Sequence, residues 1–380
     1  MIVGFDATSL LGHSGIEVYG RELIRGIIAL KDPTIEMVLM GRRRREGELR
    51  SFFGKEVQIR AVLPHDLMLG ETLRPISRLL QKGAWKNNAR DLDLVHMPGN
   101  TLWRIPSNRH VVTIHDVFPL MPELGIAASS AREFQRYVES AVKHAERVIV
   151  PTQWAAESVS KFLPQATEKL RVVYHSIREQ FVRSPLGLQR RRELGIRDDE
   201  DFLFFVGRVD PRKNLDRILA AWNTLPSSFR EGRLLFLVLS GAPRDIADLR
   251  VKHAKTLQDP SIKIHFGLSD QDIVGLYSSA RGLVFTSTAE GFGLPVLEAM
   301  QCGCPILTST TTCLPEVGGD AVLYADPYSV DEISNGMYRL LTDDTLGSML
   351  KERGLHRASQ FTREAMAKNT LAVYKEIVAH

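Results

Sequence analysis

Short apolar runs, each followed by a stretch with apolar residues at helical spacing, recur along the chain in two series separated by a polar interval. In the first series MIVGFDAT, IEMVLM, VQIRAVL, DLDLVHMPG, HVVTIHDVFPL, RVIVPT and LRVVYHS predict strands. His115 and Asp116 fall at the C-terminal end of the HVVTIHDVFPL strand, where open α/β sheets hold ligands. Helices are expected over Ile16–Leu30 and Ser129–His144 and from Trp154 onward, with a basic helix around residues 73–90. The second series reads DFLFFVGR, RLLFLVLSG, IKIHFG, GLVFTS, PILTS and AVLYAD as strands, with helices starting near Asn214, Asp245, Asp270 and Pro295. Strands alternating with helices describe a parallel, doubly wound sheet in each half, hence an α/β fold of two Rossmann-like domains.

The predicted division is a first domain over residues 1–178, a linker over 179–200 with a short helix inside it, and a second domain over 201–360. A closing amphipathic helix in 361–380, about Arg363 to Ala379, has no strand partner of its own and packs against one of the halves, the first being the candidate. A length of 380 residues suits two domains of ordinary size. Hydrophobic content of 44% and charged content of 25% describe a soluble globular protein. The cysteines, Cys302, Cys304 and Cys313, lie within one short region and make no disulfide framework, so a reducing compartment is expected. No leader and no membrane span are read from the sequence, which points to the cytoplasm.

Charge changes this picture in one place. The net charge is only +4, yet Arg42 to Arg45 form a run, and Arg74, Arg78, Lys82, Lys86 and Arg90 recur every four residues. On a helix that spacing draws a basic stripe, which is either a solvated face or a surface for anionic lipid or an acidic acceptor. Nucleic acid is not indicated, since no recognition-helix or aromatic stacking pattern accompanies the stripe.

The chemistry concentrates in FTSTAEGFGLPVLEAMQCGCP, Phe285 to Pro305: an apolar run, a glycine-bearing turn and a helix start. Gly291 and Gly293 let backbone approach a ligand, Pro295 suits a helix start, and the free N–H groups there favour an anion. Glu290 and Glu298 bracket that anion site; they are either hydroxyl acceptors, for a sugar and a ribose, or glutamates in solvent beside an ordinary capped turn. In FVGRVDPRKNLD, Arg208 and Lys213 flank a turn after a strand of the same sheet, with Asp210 or Asn214 as caps. The two cations either converge on a diphosphate or are ordinary surface charges. The Asp91-Leu92-Asp93 string lacks supporting ligands and reads as a turn and cap, and Cys302-Gly303-Cys304 has no second ligand cluster, so no metal site is expected.

Together, GRVDPRKN, then EGFGLPVLEAM about eighty residues later, then PEVGGDAVLYADP, resemble the donor-binding half of family 4 glycosyltransferases of the GT-B fold. HDVFPLMPE and a glycine loop before GIEVYGREL resemble that family's acceptor-side half. The resemblance covers nearly the whole chain and implies two Rossmann-like domains with a cleft between them and a retaining transferase that uses a nucleotide-diphosphate sugar without a metal or other cofactor. It implies that Arg208 and Lys213 bind the diphosphate and that Glu298 takes the ribose hydroxyls. Glu290 would take donor-sugar hydroxyls beside Gly291 and the amides of Phe292, Gly293 and Leu294. His115 would lie at the reaction centre, with Gly15 near the phosphates. Retention in the family is explained by same-face attack in which the leaving phosphate takes the acceptor proton, so no general base is named.

Two departures stand out. The N-terminal loop reads Gly15-Ile16-Glu17 where relatives commonly carry Gly-Ile-Gly, and Tyr174-His175-Ser176 stands where they often have Pro-Asn-Gly. The motifs look most like mannosyltransferase-type members of polysaccharide biosynthesis, so GDP-mannose is the first expectation for donor and a glycan or lipid-linked glycan for acceptor. The basic stripe then suggests peripheral contact with the inner face of the membrane. Competing readings are a GT-B sugar-nucleotide epimerase, a phosphorylase, which would need a pyridoxal phosphate lysine, and a non-catalytic nucleotide-sugar binder.

Overall fold

The computed structural model describes residues 1–8, 10, 15–42, 45–54, 57–63, 89–99 and 109–378. The chain divides into two compact units, residues 1–176 with 362–380, and residues 177–361.

The first unit holds a seven-stranded sheet of β1 Ile2–Asp6, β2 Glu36–Arg42, β3 Gln58–Leu63, β4 Leu94–Met97, β5 Arg109–Thr113, β6 Arg147–Val150 and β7 Leu170–Val172. Its order is β3-β2-β1-β4-β5-β6-β7, and every pairing is parallel. The chain winds outward from β1 to β3, then returns to lay β4 on the other side of β1, so the switch point lies between β1 and β4. The main helices of this unit are α1 Gly15–Leu30, α2 Glu46–Phe53, α3 Ala128–His144 and α4 Gln153–Phe162. Thr152 caps α4 by accepting from the Ala155 amide at 3.0 Å.

The second unit holds a six-stranded parallel sheet, β8 Asp201–Arg208, β9 Arg233–Ser240, β10 Ile262–Phe266, β11 Gly282–Phe285, β12 Ile306–Ser309 and β13 Leu323–Ala325. The order β10-β9-β8-β11-β12-β13 puts the switch point between β8 and β11. The strands are continuous apolar runs because helices cover both faces: Phe202, Phe204 and Leu283 pack on one side, and Leu203, Phe205 and Val284 on the other. The main helices are α5 Gly187–Glu193, α6 Leu215–Thr224, α7 Pro243–Lys252, α8 Asp270–Ser279, α9 Leu294–Gln301, α10 Val330–Thr342 and α11 Asp344–Ala358. Ser269 and Asp272 form a reciprocal capping box on α8.

Three differences from the sequence expectations have physical causes. Residues 179–200, read as a linker, belong to the second unit: Phe181 and Ile196 are buried in its core, and the buried Arg191 guanidinium donates to the carbonyls of Arg197 and Glu200. The strand expected to carry His115 ends at Thr113, so His115 and Asp116 stand just beyond it. Helices α10 and α11 add to the elements expected from sequence; α10 carries Gly336 against the sheet, where a Cβ would come within 2.5 Å of Leu307 Cδ1. Most of the basic helix, with Arg74, Arg78, Lys82 and Lys86, lies outside the described residues; Arg90 is exposed in a turn.

The closing helix, α12 Arg363–Val378, packs on α1, where Met366, Ala367, Leu371 and Tyr374 join Tyr19, Leu23, Ile24 and Ile27 in the first core. A Cβ on Gly26 would meet the Arg363 carbonyl oxygen at 2.9 Å, so the missing side chain lets the helices touch.

Candidate active site

In the second unit the segments after β8 and β11, the strands flanking the switch point, carry most of the candidate residues. After β8 the chain makes a single 3₁₀ turn, Pro211–Lys213, capped by Asp210, whose carboxylate accepts from the Arg212 amide at 2.9 Å and binds the Arg212 guanidinium at 2.7 Å. Asn214 then takes a left-handed conformation, φ 61°, and is buried. Its Nδ2 donates to the carbonyls of Thr286 at 2.9 Å and Pro327 at 2.7 Å. Asn214 therefore acts less as the cap expected from sequence than as a pin fixing this turn to the loops after β11 and β13.

Lys213 is thereby aimed at the β11 loop. Its Nζ donates to Glu290 Oε1 at 2.5 Å and lies 5.0 Å from the centre of the Phe285 ring. The loop is held from outside as well: Thr288 N donates to Arg212 O at 2.8 Å, Ser309 Oγ to Ser287 O at 2.5 Å, and Cys313 Sγ to Glu290 O at 3.0 Å. Gly293, φ 87°, precedes α9, whose first positions are Leu294 and Pro295, so Pro295 sits second rather than first. Phe292 is buried, and Gly291 stands partly exposed. Arg208 ends β8 as an exposed side chain with no ion pair among the described residues. Lys213 and Glu290, expected from sequence to meet different parts of a ligand, thus meet each other.

Glu298, in the middle of α9, is buried, and burial pushes its carboxyl up from the ordinary range against the opposing pull of Arg178. Arg178 donates Nε at 3.0 Å and Nη2 at 2.7 Å to Glu298 Oε1, and Nη1 to both oxygens of Asp270 at 3.0 and 2.9 Å. Arg178 and Asp270 did not emerge from the sequence. Nothing local marks a pair separated by 120 residues; the only trace is an arginine three residues before the buried Phe181.

In the first unit His115 is buried beyond β5, and its Nε2 lies 2.7 Å from Pro98 O, on the segment after β4. A carbonyl only accepts, so Nε2 carries the proton and Nδ1 the lone pair. Burial holds the imidazole neutral, with its pKa pushed down to about 4. The Tyr19 ring packs against His115 at 5.0 Å and stacks on His175 at 4.6 Å. Tyr19 OH meets Thr113 Oγ1 at 3.0 Å, Thr113 meets His96 Nε2 at 2.7 Å, and His96 Nδ1 meets Tyr374 OH at 2.6 Å. Gly15 opens α1 as an exposed residue, with no atom of the described residues within 4 Å of where a Cβ would stand, and Glu17 follows in the first turn, half-buried.

The remaining polar candidates have structural partners. Asp91 binds the Arg60 guanidinium at 2.5 and 2.8 Å, and Asp93 accepts from the Ile2 amide at 2.7 Å. Cys302, Cys304 and Cys313 are buried free thiols.

Two all-parallel sheets, each doubly wound, with cations, a glycine loop and carboxylates at the switch point of the second, define the GT-B architecture. Solved structures share it along the full chain: sucrose-phosphate synthase from Thermosynechococcus elongatus superposes with TM-score 0.77 at 17% identity, covering 100% of this chain and 99% of that one. WaaG, a glycosyltransferase involved in lipopolysaccharide biosynthesis, gives TM-score 0.71 at 18% identity, covering 100% of each chain. At these identities the likeness is one of fold. The family models are more specific: "Glycosyl transferases group 1" matches residues 189–357 and "Glycosyltransferase Family 4" matches residues 13–181. The chain belongs to the family 4 glycosyltransferases. It is 38% identical over 180 residues to the O-antigen chain mannosyltransferase B of Escherichia coli, covering 46% of each chain. It is 28% identical over 256 residues to the serotype-specific mannosyltransferase WbdA of Escherichia coli, covering 66% of this chain and 31% of that protein. The match spans less than half the length of these curated relatives.

Proposed function

We propose that this protein transfers a hexose, mannose from GDP-mannose as first choice, from a nucleotide-diphosphate sugar to a glycan or lipid-linked acceptor in polysaccharide biosynthesis, with retention and without a metal. The observation that carries the reading is the Lys213–Glu290 pair at the switch point of the second sheet, in a chain whose relatives include named mannosyltransferases. In this reading the bond between the sugar C1 and the diphosphate oxygen breaks, and the acceptor oxygen bonds to C1 on the same face. The acceptor proton passes to the departing phosphate. Negative charge grows on the diphosphate; Lys213 and the amides at the start of α9 are fixed positive groups suited to it and the exposed Arg208 adds a second cation, which removes the need for a divalent ion. Glu290 accepts sugar hydroxyls; His115, in the first unit, is neutral with a lone pair on Nδ1 and is suited to accept a hydroxyl of its own. Arg74, Arg78, Lys82, Lys86 and Arg90 support an acceptor carried on an anionic membrane surface.

The test is thermal-shift screening against GDP-mannose and the UDP, ADP and dTDP sugars, followed by transfer assays in EDTA with the product anomer read by NMR. Stabilisation by GDP-mannose and an α-linked product in EDTA support the reading. Stabilisation by UDP sugars alone overturns the donor, an inverted product overturns retention, and isomer formation without acceptor points to an epimerase.

A further inference from the structure

Glu298 differs from a solvent-facing hydroxyl acceptor in how its two oxygens are used. Oε1 is filled by two charge-assisted bonds from Arg178, while among the described residues Oε2 has only the Tyr277 hydroxyl, at the long distance of 3.5 Å. Arg178 is itself held on every side. Its third nitrogen is clamped by Asp270, which also accepts from Gln180 Nε2 at 3.1 Å, and its guanidinium lies 3.9 Å over the ring of the buried Phe181. An arginine fixed by two carboxylates and a ring has one rotamer, and so does the carboxylate it grips.

We infer that Arg178 is a positioning residue of the nucleotide site: it locks Oε1 of Glu298 and so presents Oε2, in one orientation, to a ribose hydroxyl of the nucleoside diphosphate. The inference rests on the proposed function and adds to it the residue that sets ribose recognition. A carboxylate without this grip is free to rotate and, in its buried position, to take up a proton, and in either state it binds a hydroxyl less strongly and separates ribose from its deoxy analogue less well. A purely structural ion pair would affect folding stability and leave that discrimination untouched.

The experiment is calorimetric titration of the full chain and of Arg178→Gln and Arg178→Lys with GDP and 2′,3′-dideoxy-GDP, and with the uridine pair if UDP binds more tightly. A hydroxyl bound to an ionised acceptor discriminates by about tenfold or more. The unmodified chain should show that preference, Arg178→Gln should lose most of it while its thermal transition stays cooperative, and Arg178→Lys should regain part. Full ribose preference in Arg178→Gln overturns the inference, as does GDP binding to the unmodified chain with no ribose preference, which leaves the nucleotide-binding reading standing. Absence of binding by any nucleoside diphosphate overturns the proposed donor class and the inference with it. Should Arg178→Gln fail to fold, Gln180→Ala, which loosens Asp270 behind Arg178, is titrated in its place and should weaken the preference; an unchanged preference there overturns the inference.

Discussion

Lys213 Nζ and Glu290 Oε1 stand 2.5 Å apart, a pair that joins the turn after β8 to the loop after β11 across the switch point, between residues 77 apart in the chain. Both side chains are largely buried, at 18% and 12% exposure, so each neutralises the other where water cannot. Under the proposed function, a diphosphate arriving at this turn would compete with Glu290 for Lys213 and release the carboxylate to accept hydroxyls.

Removing each partner should therefore have opposite effects on nucleotide binding. Lys213→Met should weaken GDP binding by about ten- to a hundredfold and lower turnover by at least about a hundredfold, since a preorganised cation at the leaving group is lost. Glu290→Gln should bind GDP at least as tightly as the unmodified chain, because Lys213 is freed, while still losing turnover. Titration calorimetry alongside steady-state kinetics separates the two, and weaker GDP binding in Glu290→Gln than in Lys213→Met would contradict the exchange.

Gly293 holds the left-handed conformation that starts α9, and a Cβ there would stand 2.8 Å from Leu314 Cδ2. Gly293→Ala should cost about 1–2 kcal/mol of second-unit stability from backbone strain and crowding. It should also weaken GDP binding, because the loop that carries Glu290 must shift. Denaturant titration and calorimetry check the two effects together.

The buried imidazoles of the first unit make its stability pH-dependent with a definite sign. Burial lowers His96 to about 3 and His115 to about 4, and lowers His175 well below the ordinary value near 6.5. The unfolded chain therefore binds protons that the folded chain refuses. The stability is fully present above pH 6.5 and is lost as pH falls from 6.5 towards the folded values, by up to about 1.4 kcal/mol per pH unit for each histidine. Urea midpoints measured from pH 7.5 to 5 should fall on that slope, and His96→Gln should flatten it. A slope unchanged in His96→Gln would rule out this histidine as a source.

The strands were legible because a parallel strand covered on both faces is a plain apolar run, and FLFFV or LLFLVL, short and bounded by turn residues, reads as strand rather than helix. Strand order gave the site its meaning: only once β8 and β11 are neighbours do the motifs at Lys213 and Glu290 become one place. What the residues could not reveal was who meets whom. Arg178 reads as one more surface arginine at the edge of a polar stretch until α9 brings Glu298 beside it, and His96 and Tyr374 read as unrelated until α12 lies over β4. Residues 179–200 looked like a linker because their charges dominate the pattern, while the few apolar anchors, Phe181 and Ile196, are too widely spaced to register as an element.

The docking of α12 on α1 offers the sharpest test of the first unit's architecture, because a buried ion pair and a helix contact coincide there. Glu22, nearly inaccessible in α1, accepts from Arg363 Nε at 2.9 Å and from Arg25 at 3.0 Å, and one turn further along Gly26 touches the Arg363 backbone. Losing Arg363 leaves a buried carboxylate with one partner, so Arg363→Ala should destabilise by about 3 kcal/mol, the lower end for a broken buried pair, because Arg25 remains. Gly26→Ala attacks the same contact without touching charge: the new Cβ meets a backbone oxygen that cannot rotate away, and the helices must separate, at about 1–3 kcal/mol. Since both changes break one docking event, their effects should fall short of additive in the double variant. Denaturant unfolding of the single and double variants measures this, and full additivity would mean that the ion pair and the close contact act independently.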